Sequence, residues 1–490
     1  MTENQTNTLE TISSGEYPAP RARALGFFIL KNYSFLAICY AVSRFAAFLA
    51  LAYLARTLGV QHFGEISFAQ AVVVYFTLAT HLGLMTFGTR AIASGSAPMQ
   101  EMVSKILPIR VVLAAGSYVL LVLFSLLVPF SAEVRLLALL FGMALFSGAA
   151  LLDWAFKGVQ RMVVVGIMEI LRYVPFLVLV SLWVRGSPDL YRVPLFWFLS
   201  SAAAAVFGLS VLLYRYGTMR LTLDWNYTWQ ALRQALPLGV AFIMVQVYYL
   251  IDTIMLGVLK EPVEVGLYSA AYRMITFPQG FGGWYFETVF PVLSRLYRQE
   301  RHRLSGFLSF STRLTALAIV PLAVWGTFMA DPLLRLFFGP DYAGSALPLR
   351  ILIWAISVEL VGMNFGYSLM ACEREKDYLK AVSLGAVTSV LLNLMLIPRL
   401  GIQGAAMARG ATEILIAALC WNWLRRTAGS RWLASLLIPV LGGSLMALCL
   451  MSLNSRLLGS LAGFAVYFLI VLGISPGPRR DLRAFLDGQL

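Results

Sequence analysis

The sequence predicts an all-α polytopic membrane protein of about 14 transmembrane helices, with two parallel six-helix lobes around a central cleft plus two C-terminal helices. Three observations lead there. Of 490 residues, 59% are apolar and 13% charged, against roughly 45–50% and about 25% in soluble domains, which leaves too little polar surface to cover several soluble cores. Apolar runs of about 20 residues, the length that spans a bilayer, recur along the chain. A short motif near the start returns past the middle.

The first 20 residues, MTENQTNTLETISSGEYPAP, are polar and lack a signal peptide's basic start and cleavage site. Residues 1–32 are therefore expected to be a cytoplasmic tail, with the first span as its own targeting signal. Spans are expected at about 33–54, 66–88, 111–129, 136–155, 163–183 and 194–214, forming a lobe over 33–214. Residues 215–234 read as a polar linker. Six further spans, 235–259, 265–293, 311–329, 349–371, 378–397 and 404–423, make a second lobe over 235–423. An additional pair, 432–453 and 457–474, lies in 424–474, ahead of a tail over 475–490. FPQGFGG interrupts 265–293, so a bend or local unwinding is expected there. Trp183, Trp225, Trp421, Trp423 and Trp432 fall at span boundaries, as interfacial aromatics do.

Net charge is +14. Lys and Arg outside the spans favour the N-terminal side by about three to one, which predicts cytoplasmic N- and C-termini by the positive-inside rule. That explains the basic excess without nucleic acid. The densest basic loop, SRLYRQERHRL (294–304), falls on the same face, serving topology alone or also anionic headgroups. Cys39, Cys372, Cys420 and Cys449 lie in or beside apolar segments and read as small hydrophobes. No GxxxxGK[ST] phosphate loop, GxSxG elbow or HExxH is present, and His62, His81 and His302 are far apart in sequence. No ATPase, hydrolase, metal or cofactor is expected, and the chain reads as a non-enzyme.

LGVQHFGEISFAQA (58–71) and LGVLKEPVEVGLYSAA (256–271) each join the first two spans of a half and share Leu-Gly, a later Gly, and Ser or aromatic before Ala. Both halves start on one side, so the repeat is parallel, about an axis along the membrane normal. ARTLGVQHFGEISFAQA, YFTLATHLGLMTFGTRAIA (75–93), VYYLIDTIMLGVLKEPVEVGLYSAAYRM (247–274), ADPLLRLFFGPDYAGSALPLRIL (330–352) and NLMLIPRLGIQGAAMARGATE (393–413) resemble, in order, the polysaccharide transporter branch of the multidrug/oligosaccharidyl-lipid/polysaccharide exporter superfamily. The resemblance implies a flippase, in a bacterial inner membrane, for a polyprenyl-diphosphate-linked oligosaccharide of O-antigen, capsule or exopolysaccharide synthesis. It also implies membrane lipids as surroundings, and a polysaccharide polymerase and glycosyltransferases as candidate partners. The family commonly has an acidic residue where this chain has His81, so no role transfers there.

A charge at mid-bilayer costs from about 2.5 to well over 10 kcal/mol, so such residues should face a cavity or a partner. Arg44, in AVSRFAAF, reads either as a cleft cation for the diphosphate or as an interhelical bridge. Asp252 and Arg273 lie at matching depth on adjacent spans, which suggests an ion pair between them; Arg273 is also a substrate candidate and Asp252 a coupling candidate. Glu169 with Arg172, and Arg409 with Glu413, have the three- and four-residue spacing of intrahelical pairs. Glu359 and Glu287 have no charged neighbour within one turn and join the coupling candidates. Arg90, at the inner end of span two, is a headgroup contact or an interfacial anchor. Gln246, Asn364 and Asn393 could bind sugar hydroxyls or bridge helices. The alternatives to a flippase are an ion-coupled organic-cation antiporter, which requires an acidic cleft, and a membrane scaffold for glycosyltransferases.

Overall fold

The computed structural model describes residues 22–428, 432–453 and 456–474; the rest of both expected tails, and the side chain of Trp432, lie outside the described residues. Without water in the hydrocarbon, backbone polar groups must be satisfied internally, and the described chain is helical with short turns. The first half comprises α1 Ala22–His81, α2 Leu84–Ala93, α3 Met99–Leu127, α4 Ala132–Gly142, α5 Ala144–Ala150, α6 Asp153–Gly158, α7 Met162–Trp183 and α8 Arg192–Tyr216. The second half comprises α9 Trp225–Leu259, α10 Pro262–Gln299, α11 Arg301–Phe337, α12 Ala346–Ala371 and α13 Glu375–Ala428. The pair α14 Trp432–Ser452 and α15 Arg456–Ile474 follows.

Among the described residues, nine helical stretches are long and apolar enough to cross a membrane. Two of these, Ser34–His81 and Glu375–Arg425, are broken by non-helical Gly59 and Gly401. At 1.5 Å per residue each is about twice the roughly 30 Å that a crossing needs. Among the described residues, the expected spans 235–259 and 457–474 are represented by the shorter apolar stretches Tyr248–Leu259 and Leu458–Val471. The nine do not establish the count of fourteen. Two local expectations are corrected. The segment around Pro278 is not unwound, because α10 runs through it and absorbs the loss of one backbone hydrogen bond. The irregular linker is confined to 217–224, because the Asp224 carboxylate accepts from the Asn226 and Tyr227 amides (2.8 and 3.3 Å) and starts α9 early.

The halves meet most closely beside Gly59, in the repeated motif. A Cβ on Gly64 would collide with the Pro262 carbonyl oxygen, and one on Gly266 with the Val60 carbonyl oxygen. This reciprocal contact is what a twofold relation between the motifs produces, and only glycine lets the backbones come so near. Around it Phe48, Phe63, Phe337, Phe338 and Tyr342 form an edge-to-face cluster with ring centroids 5.0–6.2 Å apart. Tyr342 Oη donates to the Ala55 carbonyl (3.0 Å), and Arg56 donates to the Arg335 and Leu336 carbonyls, capping α11. Deeper in the bundle a second approach sets Gly83 against the Ala235 carbonyl, and Gly239 against Leu82. The extra pair packs on α11 through Val324, Met446 and Tyr467, with Trp325 Nε1 donating to Ser460 (3.1 Å).

Gly64→Val and Gly266→Val are each expected to lower the detergent melting temperature by several degrees, because overpacking at a fixed backbone contact costs about 1–3 kcal/mol. Gly116→Ala, where nothing lies within 4 Å, leaves it unchanged. Equal melting of all three variants would contradict the contact.

Candidate functional site

A cavity of about 470 Å³ lies between the halves. Its charged lining consists of the guanidinium groups of Arg44, Arg110, Arg172 and Arg273 and the carboxylates of Asp153 and Glu169, an excess of cations. Arg44 comes from α1, where it interrupts an otherwise apolar run, and its side chain is exposed to the cavity. It makes no hydrogen bond or ion pair among the described residues. Arg273, from α10, reaches across the cleft and donates to Gln70 Oε1 on α1 (3.3 Å).

Arg110 is fully buried. Its Nη1 and Nη2 donate to the carbonyls of Leu151 and Gly148, both at 2.8 Å. Leu151 is extended (φ −66°, ψ 130°) and breaks the helix between α5 and α6, which opens these carbonyls to Arg110. Irregular backbone at membrane depth is tolerated where it lines a cavity or is buried in protein, and Arg110 supplies the missing donors. Just past the break, Asp153 Oδ2 pairs with Lys157 Nζ (3.0 Å), while its buried Oδ1 has no partner. Arg172 stacks over the rings of Trp197 and Tyr173, 5.2 and 5.6 Å from their centroids.

A second polar group, apart from the cavity lining, is buried inside the second half. Arg409 Nη2 is 3.1 Å from Glu359 Oε2, and Arg409 Nε is 3.0 Å from Glu413 Oε1. Tyr249 Oη and Gln279 Nε2 donate to Glu359, each at 2.8 Å, and Tyr248 Oη donates to Glu413. The guanidinium also lies over both tyrosine rings, 4.3 and 4.8 Å from the centroids. Nearby, Asp252 Oδ1 accepts from Asn393 Nδ2 (2.7 Å) and Oδ2 from Tyr268 Oη (3.0 Å).

The residues singled out from the sequence thus divide. Arg44, Arg273, Glu169 and Arg172 share the cavity lining. Arg90 and Glu287 are exposed and outside it. Three expected pairings are corrected. Asp252 and Arg273 do not pair, because one turns into the second half and the other into the cleft. Glu359 is not without a charged partner, because Arg409 reaches it from another helix. Among the described residues Glu169 and Arg172, although three apart, make no direct ion pair, because Arg172 turns onto the aromatic rings. Arg409 does reach Glu413. Asn393 serves Asp252, and Asn364 bridges to Ser311 and Thr315.

Arg110, Asp153 and Trp197 went unseen in the sequence. Arg110 stands one residue before the apolar run of span three, and only helix α3, which starts at Met99, carries it inside. Asp153 sits near the expected end of span four, where a hydrated carboxylate is unremarked.

A polytopic helical bundle with a charged, substrate-sized cavity between two related halves is the architecture of a secondary membrane transporter. The sequence profile of the polysaccharide biosynthesis protein family matches residues 29–297, and that of the lipid II flippase MurJ matches residues 174–474. The chain belongs to this family of polysaccharide flippases, within the multidrug/oligosaccharidyl-lipid/polysaccharide exporter superfamily. A protein of Escherichia coli K12 assigned as an O-antigen transporter is 23% identical over 404 residues, 81% of this chain and 96% of its own. Among solved structures, the inward closed conformation of the lipid II flippase MurJ superposes with a TM-score of 0.74 at 14% identity, covering 91% of this chain and 99% of that one. An inward-facing multidrug resistance transporter of the same superfamily gives 0.64 at 14% identity, over 82% and 98%. These likenesses establish the fold.

Arg409→Met should be strongly destabilising, by about 3–5 kcal/mol, because it strands two buried carboxylates. The triple variant Arg409→Met, Glu359→Leu, Glu413→Leu should recover most of that stability. Thermal unfolding of the purified variants checks this, and a triple variant as unstable as the single one would contradict it.

Proposed function

We propose that this flippase moves a polyprenyl-diphosphate-linked oligosaccharide from the cytoplasmic to the outer leaflet of a bacterial inner membrane, with both termini cytoplasmic. One observation carries the reading: the cavity presents four guanidinium groups against two carboxylates, and one of the four, Arg44, makes no hydrogen bond or ion pair among the described residues. A diphosphate is a dense anion with acceptor oxygens on all sides, and the guanidinium fork matches phosphate geometry. Arg44 and Arg273, from opposite halves, are suited to bridge it across the cleft, so a loaded diphosphate would draw the halves together. Arg110 is committed to holding the α5–α6 break and contributes charge rather than contacts. Arg90, exposed in the last turn of α2, is proposed to meet headgroups at the cytoplasmic entrance. The lipid tail remains in the bilayer.

Alternating access would follow from exchanging the two interhalf contacts, at Gly64–Gly266 and at Gly83–Gly239. The driving force is proposed to act through the buried group in the second half. Two carboxylates, Glu359 and Glu413, share one guanidinium there, and Asp252 adds a third carboxylate that forms no ion pair among the described residues. Glu287, exposed on α10, has no such setting. The cationic cavity disfavours organic cations as cargo, and the basic turn at 294–304 is suited to anionic headgroups. Contact with a polymerase or glycosyltransferases would be additional to transport.

Binding of a radiolabelled polyprenyl-diphosphate oligosaccharide tests the reading. Each charge-assisted contact is worth about 1.5–3 kcal/mol, so Arg44→Ala and Arg273→Ala should each weaken binding roughly 10- to 100-fold. Arg44→Lys should retain part of the affinity. Unchanged affinity in Arg44→Ala would remove the diphosphate from this cavity.

A further inference from the structure

One wall of the cavity holds groups for which a diphosphate has no use. Tyr173 and Trp197 sit with centroids 5.6 Å apart at 55°, and Phe176 braces Trp197 edge-on at 5.4 Å and 81°. All three line the cavity, and Tyr173 and Trp197 are only half-buried. The Tyr173 hydroxyl makes no hydrogen bond among the described residues. Beside the rings, Glu169 lines the cavity and accepts no hydrogen bond among the described residues, and Asp153 Oδ1 is buried without a donor. Arg172 Nε also lacks an acceptor, although its guanidinium is fixed over both rings.

Carboxylate oxygens that accept nothing among the described residues call for hydrogen-bond donors from a ligand. A ligand that meets both demands carries hydroxyl or amide N–H donors around its edge and a weakly polar C–H face. The edge satisfies the carboxylates, and the C–H face meets the negative face of an aromatic ring. That is a pyranose ring.

We propose that Trp197, Tyr173, Glu169 and Asp153 form a carbohydrate subsite for a neutral or acylamino sugar, separate from the diphosphate contacts of Arg44 and Arg273. This deepens the flippase reading and rests on it. Arg172, pinned by the rings that make the sugar shelf, joins the two subsites. The carboxylate oxygens give the subsite its preference: a sugar bearing hydroxyls and an acetamido N–H is held through those donors. At 470 Å³ the cavity lies in the lower half of the about 300–1,000 Å³ usual for small ligands. It has room for the diphosphate with a short run of sugars rather than a long glycan.

Two probes separate the subsite from the reading beneath it: polyprenyl diphosphate without sugar, and polyprenyl-diphosphate N-acetylglucosamine, each titrated against the full chain in nanodiscs by native mass spectrometry. Wild type should bind both, and the glycosylated lipid more tightly. Glu169→Gln and Trp197→Ala should lose about tenfold or more on the glycosylated lipid and stay within about twofold on the bare diphosphate. Trp197→Phe, which keeps a ring, should recover most of the loss and shows that the site remains folded. Equal losses on both lipids, or none on either, would overturn the carbohydrate subsite while leaving the diphosphate site in place. If wild type binds neither lipid, the flippase reading itself fails.

Discussion

A charged side chain is tolerated within a bilayer only where water, a ligand or an opposite charge meets it. That constraint orders this molecule. Arg44, Arg110, Arg172, Asp153 and Glu169 of the first half converge with Arg273 of the second on one cavity, and Glu359, Arg409 and Glu413 form one buried knot. The two groups differ in kind. The knot is satisfied from within by Tyr248, Tyr249 and Gln279. The cavity is left incomplete: among the described residues Arg44 makes no hydrogen bond or ion pair, and Asp153 Oδ1 and Arg172 Nε have no hydrogen-bond partner. Unmet polar groups that line a cavity are where a ligand has most to gain.

Glycine supports this division mechanically. The reciprocal contacts of Gly64 with Pro262 and of Gly266 with Val60 bring backbone to backbone at one end, and Gly83 with Ala235 does so deeper in the bundle. Such backbone contacts hold through packing, with the Tyr342–Ala55 and Arg56–Arg335 hydrogen bonds beside the first of them. They are suited to an interface that must open and re-form. The helix break at Leu151 is the opposite case: Arg110 fastens it with two hydrogen bonds, so the wall that carries Asp153 is held rigid.

Much of the fold was legible in the sequence because hydrocarbon imposes a simple rule on composition. Apolar runs gave the helices, and the Leu-Gly motif announced the relation between halves that Gly64 and Gly266 now make physical. Arg44 stood out because one guanidinium in an apolar run has no local explanation. What stayed hidden depended on rotation and on partners from distant helices. Helix phase cannot be read where both the lipid and the interior select apolar residues, so Trp197 looked like any other aromatic. Local spacing suggested Glu169–Arg172, yet aromatic rings compete for the guanidinium. Glu359 looked alone because its partner, Arg409, is 50 residues away. Arg110 was placed in a loop because helix α3 extends well beyond its apolar run.

The central claim is that the cavity carries an anionic lipid-linked sugar and no organic cation. The most direct measurement is translocation in proteoliposomes holding only this purified protein, followed by the arrival of a fluorescent polyprenyl-diphosphate oligosaccharide at the opposite leaflet. The account predicts protein-dependent arrival of that lipid and no accumulation of a quaternary organic cation under the same gradients. Accumulation of the cation by folded protein, with the lipid left in its original leaflet, would contradict it.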